Sequence, residues 1–316
     1  MITQRISHNM KPIRLVIFLT VILFAKALTI QAQSTYLDSI FDRLTTLDLN
    51  SIHSRVSSFY SNGYKDRAIE LSELYDQALQ LFEDSLNVEM KINVAVLDES
   101  DWEFVSEFPY GTPHSVSDST NSLAFIAAEP SKVPWQAPGD TTQLPNEILL
   151  EMQDLGVGVR YLAEHQVDII GVHEIGHGIA DQMDIRSEVR WLNEVIATYF
   201  QLAFLKYRRP ELYQGWLLIR EIKDFQRREN PYKPTYTSLN DFENIYFEVG
   251  PENYEWYQIQ FEVMATKIFP DFGFSFVRTI KEQELHKESD TKVLINKLEQ
   301  EFPGFVDWEA KLGKGR

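Results

Sequence analysis

Gly171-Val172-His173-Glu174-Ile175-Gly176-His177-Gly178 contains a His-Glu-x-x-His pattern. On a helix, residues four apart lie one turn apart on one face, so His173 and His177 can aim two imidazoles at a single point. Glu174, next to the first of them, is placed to reach a water at that point without joining the donors. Working outward, the preceding run Val167-Asp168-Ile169-Ile170-Gly171-Val172 is apolar apart from Asp168, which predicts a buried face. Two histidines one turn apart on such a face are costly unless something pairs with them. Neutral imidazole suits a borderline-soft ion such as zinc, and a carboxylate suits the proton that a polarised water gives up.

A catalytic zinc takes three protein donors and keeps one open position. A third histidine six residues past His177, with Gly three past it, is absent, because those positions are Met183 and Ala180. The acids that follow are Asp181, Asp184, Glu188 and Glu194. Asp181 is one turn past His177 on the same helix, at a poor angle to close a tetrahedron, and Asp184 and Glu188 fall in a polar connector. Glu194 lies in Trp191-Leu192-Asn193-Glu194-Val195-Ile196-Ala197-Thr198-Tyr199-Phe200, an apolar segment that predicts a second buried helix facing the first. A glutamate there needs a partner, and a metal is one; the alternative is a partly exposed helix carboxylate.

With Trp191-Leu192-Asn193-Glu194 and Ala197-Thr198-Tyr199 following the His-Glu-x-x-His stretch, the chain resembles the gluzincin metallopeptidases. It is most similar to the catalytic domain of the aminopeptidase-N family and more distantly to thermolysin. The metzincin pattern is excluded by Ala180 and Met183. The resemblance implies a zincin-like two-lobed α+β domain. It also implies zinc held by His173, His177 and Glu194, with Glu174 as general base and Thr198 helping to fix the ligands. A downstream tyrosine would stabilise the oxyanion; family spacing points to Tyr257, with Tyr254 as runner-up. No Gly-x-Met-Glu-Asn element, which reads a free amino terminus in that family, precedes the motif. In such a fold an edge strand lies along the cleft, and the segment 123–128 is a candidate for it or for an ordinary core strand.

The remainder of the chain fits around this centre. Residues 1–32 read as a secretory signal peptide, with basic Arg5, Lys11 and Arg14, an apolar run from Leu15 to Ala25, and small Ala27, Thr29 and Ala32. Cleavage is expected between Ala32 and Gln33, leaving a secreted or periplasmic protein without a stable membrane span. Residues 33–182 form the expected upper lobe with the metal-motif helix, and 183–316 a helical lower lobe carrying the third ligand. Helices are expected at 34–50, along Ala68, Leu71, Leu74, Ala78, Leu81 and Phe82, and from 146 to 164. Strands are expected near Val56–Tyr60, at Lys91–Leu97 and at Ser122–Ala128. The break from Glu229 to Ser238 is expected beside the cleft, and His165 at the surface; spacing gives His53, His114 and His286 no partner.

At 316 residues and 44% hydrophobic content the chain can bury a sizeable core. It has no cysteine, which excludes thiolate metal sites and cysteine nucleophiles. A formal net charge of −17 repels phosphate backbones, so nucleic acid is an improbable partner and a peptide or protein substrate is expected. Two function classes follow: a zinc-dependent hydrolase, or a zincin-fold binding module that holds zinc without turnover.

Overall fold

The structure, a computed structural model, describes residues 35–133, 144–229, 233–246 and 248–312. The segment 1–32, expected as a signal peptide with cleavage after Ala32, and most of the proline-rich stretch 131–146 lie outside the described residues.

The fold is α+β. A helix over 35–46 (α1) leads into β1 (Asn50–His53) and β2 (Ser57–Tyr60), then α2 (Lys65–Leu86), β3 (Ile92–Leu97), α3 (Glu99–Val105), β4 (His114–Ser117) and β5 (Ser122–Ala127). The strands form one mixed sheet of order β1-β2-β3-β5-β4, in which β2, β3 and β5 run parallel and the two outer pairings are antiparallel. Every residue of β3 and β5 is buried, since helices cover both faces of the sheet. Side-chain alternation divides them between two cores. Val94, Val96, Ala124 and Ile126 join α2, whose Ala68, Leu71, Leu74, Ala78, Leu81 and Phe82 form the stripe expected from the sequence. Ala95, Leu97, Leu123 and Phe125 instead meet Leu37, Ile40 and Leu44 of α1 with Trp102 and Val105 of α3.

The segment 123–128 is thus a core strand, with β3 on one side and β4 on the other. The edge strand on this side of the sheet is β4, four residues of mostly polar sequence that carry little strand signal of their own. His114 at its start is half-buried. Its ring stacks on Phe125 at 4.4 Å, and burial pulls its pKa down to about 4. His286 is buried.

The second half is helical among the described residues: α4 (Asn146–Asp154), α5 (Val159–Gln182), α6 (Arg190–Arg208), α7 (Pro210–Glu229), α8 (Leu239–Ile245), α9 (Pro251–Phe272), α10 (Ser275–Glu282), α11 (Thr291–Glu301) and α12 (Phe305–Leu312). The helix expected over 146–164 is two. α4 stops at Asp154, Gly156 adopts a left-handed conformation (φ +66°), and α5 begins at Val159. The largest core cluster takes residues from both sides of residue 182, from Val94 of β3 to Phe261 of α9. At its centre is α6, buried from Trp191 to Leu205 except for a half-buried Asn193, as a helix apolar all round must be.

Two glycines set how closely the motif helix α5 approaches its neighbours. A Cβ on Gly176 would stand 3.0 Å from the Ala197 Cα and 3.1 Å from its carbonyl oxygen, so the lack of one lets α6 lie directly against α5. A Cβ on Gly178 would come within 2.6 Å of the Ser122 Cβ, which lets β5 do the same. The motif turn is therefore pressed between α6 and the sheet.

Candidate metal centre

α5 and α6 pack antiparallel, so His173 faces Thr198 and His177 faces Glu194. The Glu194 Oε2 atom lies 3.3 Å from His173 Nε2 and 3.8 Å from His177 Nε2. The three donor atoms fall within 4.8 Å of one another, and among the described residues no other acid joins the two histidines in such a group. Zinc bonds of about 2.1 Å place neighbouring donors of a tetrahedron about 3.4 Å apart, so the donor set fits that ion in kind and in spacing.

Two of the three donors, His173 and Glu194, are held from behind. The Thr198 hydroxyl stands 3.3 Å from His173 Nδ1, Gln258 of α9 donates to Glu194 Oε2 at 2.8 Å, and Tyr246 donates to Glu194 Oε1 at 3.3 Å. Glu174 points to the sheet edge, where the Ser115 hydroxyl of β4 donates to its Oε2 at 3.0 Å.

Burial governs the charges. It opposes ionisation of Glu194, but the hydrogen bond from His173 and the nearby imidazoles hold that carboxyl down to about 2. Burial, aided by the neighbouring His173, drops His177 to about 4. His173 is pressed down by burial too, yet the hydrogen bond and charge of Glu194 carry it above the ordinary histidine value. Glu174 is raised by burial to about 7, near the value that serves a general base at neutral pH.

The tyrosines sort differently from the family spacing. Tyr254, Gln258 and Glu262, at successive four-residue steps, form the α9 stripe that lines a cavity of about 580 Å³, along with His173, Glu174 and Thr198. Tyr257 does not line it. That side chain is fully buried, packs on Phe242, and donates its hydroxyl to the Ser238 carbonyl at 2.8 Å. The runner-up Tyr254 is the tyrosine at the cavity, its hydroxyl 3.4 Å from that of Tyr246.

Other acids and histidines are engaged elsewhere. Asp181 accepts from Ser117 and Arg186. His165 is half-buried, stacked on Tyr161 at 3.8 Å, and groups with Glu70 and Asp168, but Asp168 is already paired with Arg67. Of the break at 229–238, residues 230–232 lie outside the described residues. Thr235 and Tyr236 are tied to Asn253 of α9, and the described part does not line the cavity. Sequence reasoning missed Ser115, Tyr246 and Gln258, whose partners lie 52 to 64 residues away in the chain. The search of family models, curated proteins and solved structures finds no match to this chain.

Proposed function

We propose that the chain is a zinc-dependent peptide-bond hydrolase of the gluzincin type, on a zincin-like two-lobed domain, with a zincin-fold binding module as the alternative. The observation that supports this reading is the convergence of His173 Nε2, His177 Nε2 and Glu194 Oε2 beside a cavity that also reaches Glu174 and Tyr254. His173, His177 and Glu194 would hold the ion. Zinc, when bound, supplies Lewis acidity that brings the pKa of a water toward neutrality and polarises a carbonyl. Glu174 takes the proton from the attacking water at its carboxylate, which Ser115 orients. Tyr254 donates to the oxyanion that develops on the substrate carbonyl; burial, then the charge of Glu194, push its pKa well up, so it remains a protonated donor. Among the described residues no strand pairs with the outer side of β4, beside Glu174, and an extended peptide would pair there.

The test is cleavage of peptides by the zinc-loaded protein. Glu174→Gln keeps the size of the side chain and removes the base. It is expected to retain zinc and lose about a hundred- to ten-thousand-fold in kcat. Equal zinc with no cleavage in either protein would select the binding module instead. Export is part of the proposal: amino-terminal sequencing of the protein from its native cell should begin at Gln33, and an intact start at Met1 would refute it.

The charges predict how loading depends on pH. Glu194 is already ionised and His177 already neutral above pH 5, the forms a metal needs. His173, with its pKa raised, carries a proton at pH 6 that zinc must displace. Zinc affinity should therefore fall as pH drops from 7 to 5.5, approaching about tenfold per pH unit for one displaced proton. Competition against a chromophoric chelator measures it, and a flat profile would mean that His173 is not titrating with metal binding.

A further inference from the structure

The cavity extends along α5 and α6 away from the metal donors, and its inner end has a chemistry of its own. Because the two helices are antiparallel, Gln201, one turn past Thr198, shares a level with Ile170, one turn before His173. Gln166 is a further turn along. Each turn advances about 5 Å, so Gln201 stands about 5 Å beyond the His173–Thr198 level. On α9, Glu262 is one turn past Gln258. Gln166, Gln201 and Glu262 all line the cavity and are 5%, 3% and 6% exposed, while Ile170, Trp216 and Ile219 supply apolar wall between them.

Gln201 is the unanswered group. Its Nε2 is buried with no hydrogen-bond partner among the described residues. A carboxamide in that state keeps an uncompensated desolvation cost, which a ligand can recover. Rotation about the last side-chain bond presents either the nitrogen or the oxygen, so the group that answers it in both orientations carries one donor and one acceptor. Charge narrows the choice. Glu262 already accepts from Trp216 Nε1 at 2.8 Å and pairs with Arg220 at 3.2 Å, so it leaves no reason to recruit a cationic tip. Paired in this way with Arg220, it gives no reason to prefer an anionic tip either. A tip reaching about 5 Å from a backbone held at the donors requires a side chain of glutamine length.

We propose that this inner end is the side-chain subsite of the hydrolase and that it takes a glutamine residue of the peptide, its carboxamide paired with Gln201; the proposal rests on the metallopeptidase reading. An apolar pocket would instead prefer norleucine, the chain of similar length without polar atoms, because burying methylenes is favourable and burying an amide is not.

Three hydroxamates of N-acetylated amino acids test this on the zinc-loaded protein by calorimetric titration, since hydroxamate anchors on zinc and leaves the side chain to choose. The glutamine compound is expected to bind about tenfold more tightly than the norleucine and glutamate compounds, the gain of about one hydrogen bond. In Gln201→Met, of nearly equal volume, the order of glutamine and norleucine should invert while zinc content stays at the parent value. Equal binding of all three, or a norleucine preference in the parent protein, overturns the subsite and leaves the metal centre standing. That comparison needs no variant, so a misfolded Gln201→Met would not protect the proposal. No binding of any hydroxamate overturns the metallopeptidase reading, and the subsite with it.

Discussion

Glu194→Ala is expected to leave purification with less than about a tenth of the one zinc per chain that the parent protein should carry. The reasoning is geometric. His173 and His177 sit on one helix and can supply only one side of a coordination sphere, and Glu194 closes it from α6 at 3.3 and 3.8 Å. Losing even a residue that merely orients a ligand costs about ten- to a hundred-fold in affinity, so losing the ligand itself should cost more. The variant also strips Gln258 and Tyr246 of their acceptor, so a fall in zinc alone does not tell a lost ligand from a loosened fold. Glu194→Gln separates the two, because it preserves the volume and an acceptor for Gln258 while removing the charge. Elemental analysis beside thermal unfolding should show Glu194→Gln folded and zinc-poor. Parent-like zinc in both variants would remove Glu194 from the site and leave its burial explained by the ion pair with His173 alone.

How much of this was readable in the sequence follows from which interactions are local. The motif turn needs only the four-residue step of a helix, so His173, Glu174 and His177 were legible from spacing. Glu194 was legible because a charge amid Trp191-Leu192 and Val195-Ile196 is out of place without a partner. The stripe of α2 and the strand β3 were legible for the same periodic reasons. Edge status was not. Whether 123–128 borders the cleft depends on β4 pairing beside it, and His-Ser-Val-Ser is too short and polar to announce a strand. The break between α4 and α5 turns on one left-handed residue, Gly156, in a stretch whose hydropathy continues through it. Ser115, Gln258 and Gln201 are polar residues with no periodic signature, and only their distant neighbours give them meaning.

Tyr254 and Tyr257 show the same limit in a form that can be measured. They are three residues apart on α9, equally aromatic, and sequence pattern cannot tell which side of the helix meets the cavity. The packing of α9 decides it: Gln258 bonds Glu194, which carries Tyr254 and Glu262 with it to the cavity, while Tyr257 is fully buried with its hydroxyl on the Ser238 carbonyl. A hydroxyl that acts on charge present only near the transition state lowers kcat much more than it raises KM when removed. Tyr254→Phe should therefore give a folded, zinc-loaded protein that has lost about a hundred- to a thousand-fold in kcat. Tyr257→Phe should keep its rate and lose about 1 kcal/mol of stability, because its hydroxyl is spent on the Ser238 carbonyl. The reverse pair of results would show that α9 turns on substrate binding to bring Tyr257 forward. Full activity in both would place the oxyanion donor off α9 and leave Tyr246, the tyrosine that touches Glu194 directly, as the next to replace.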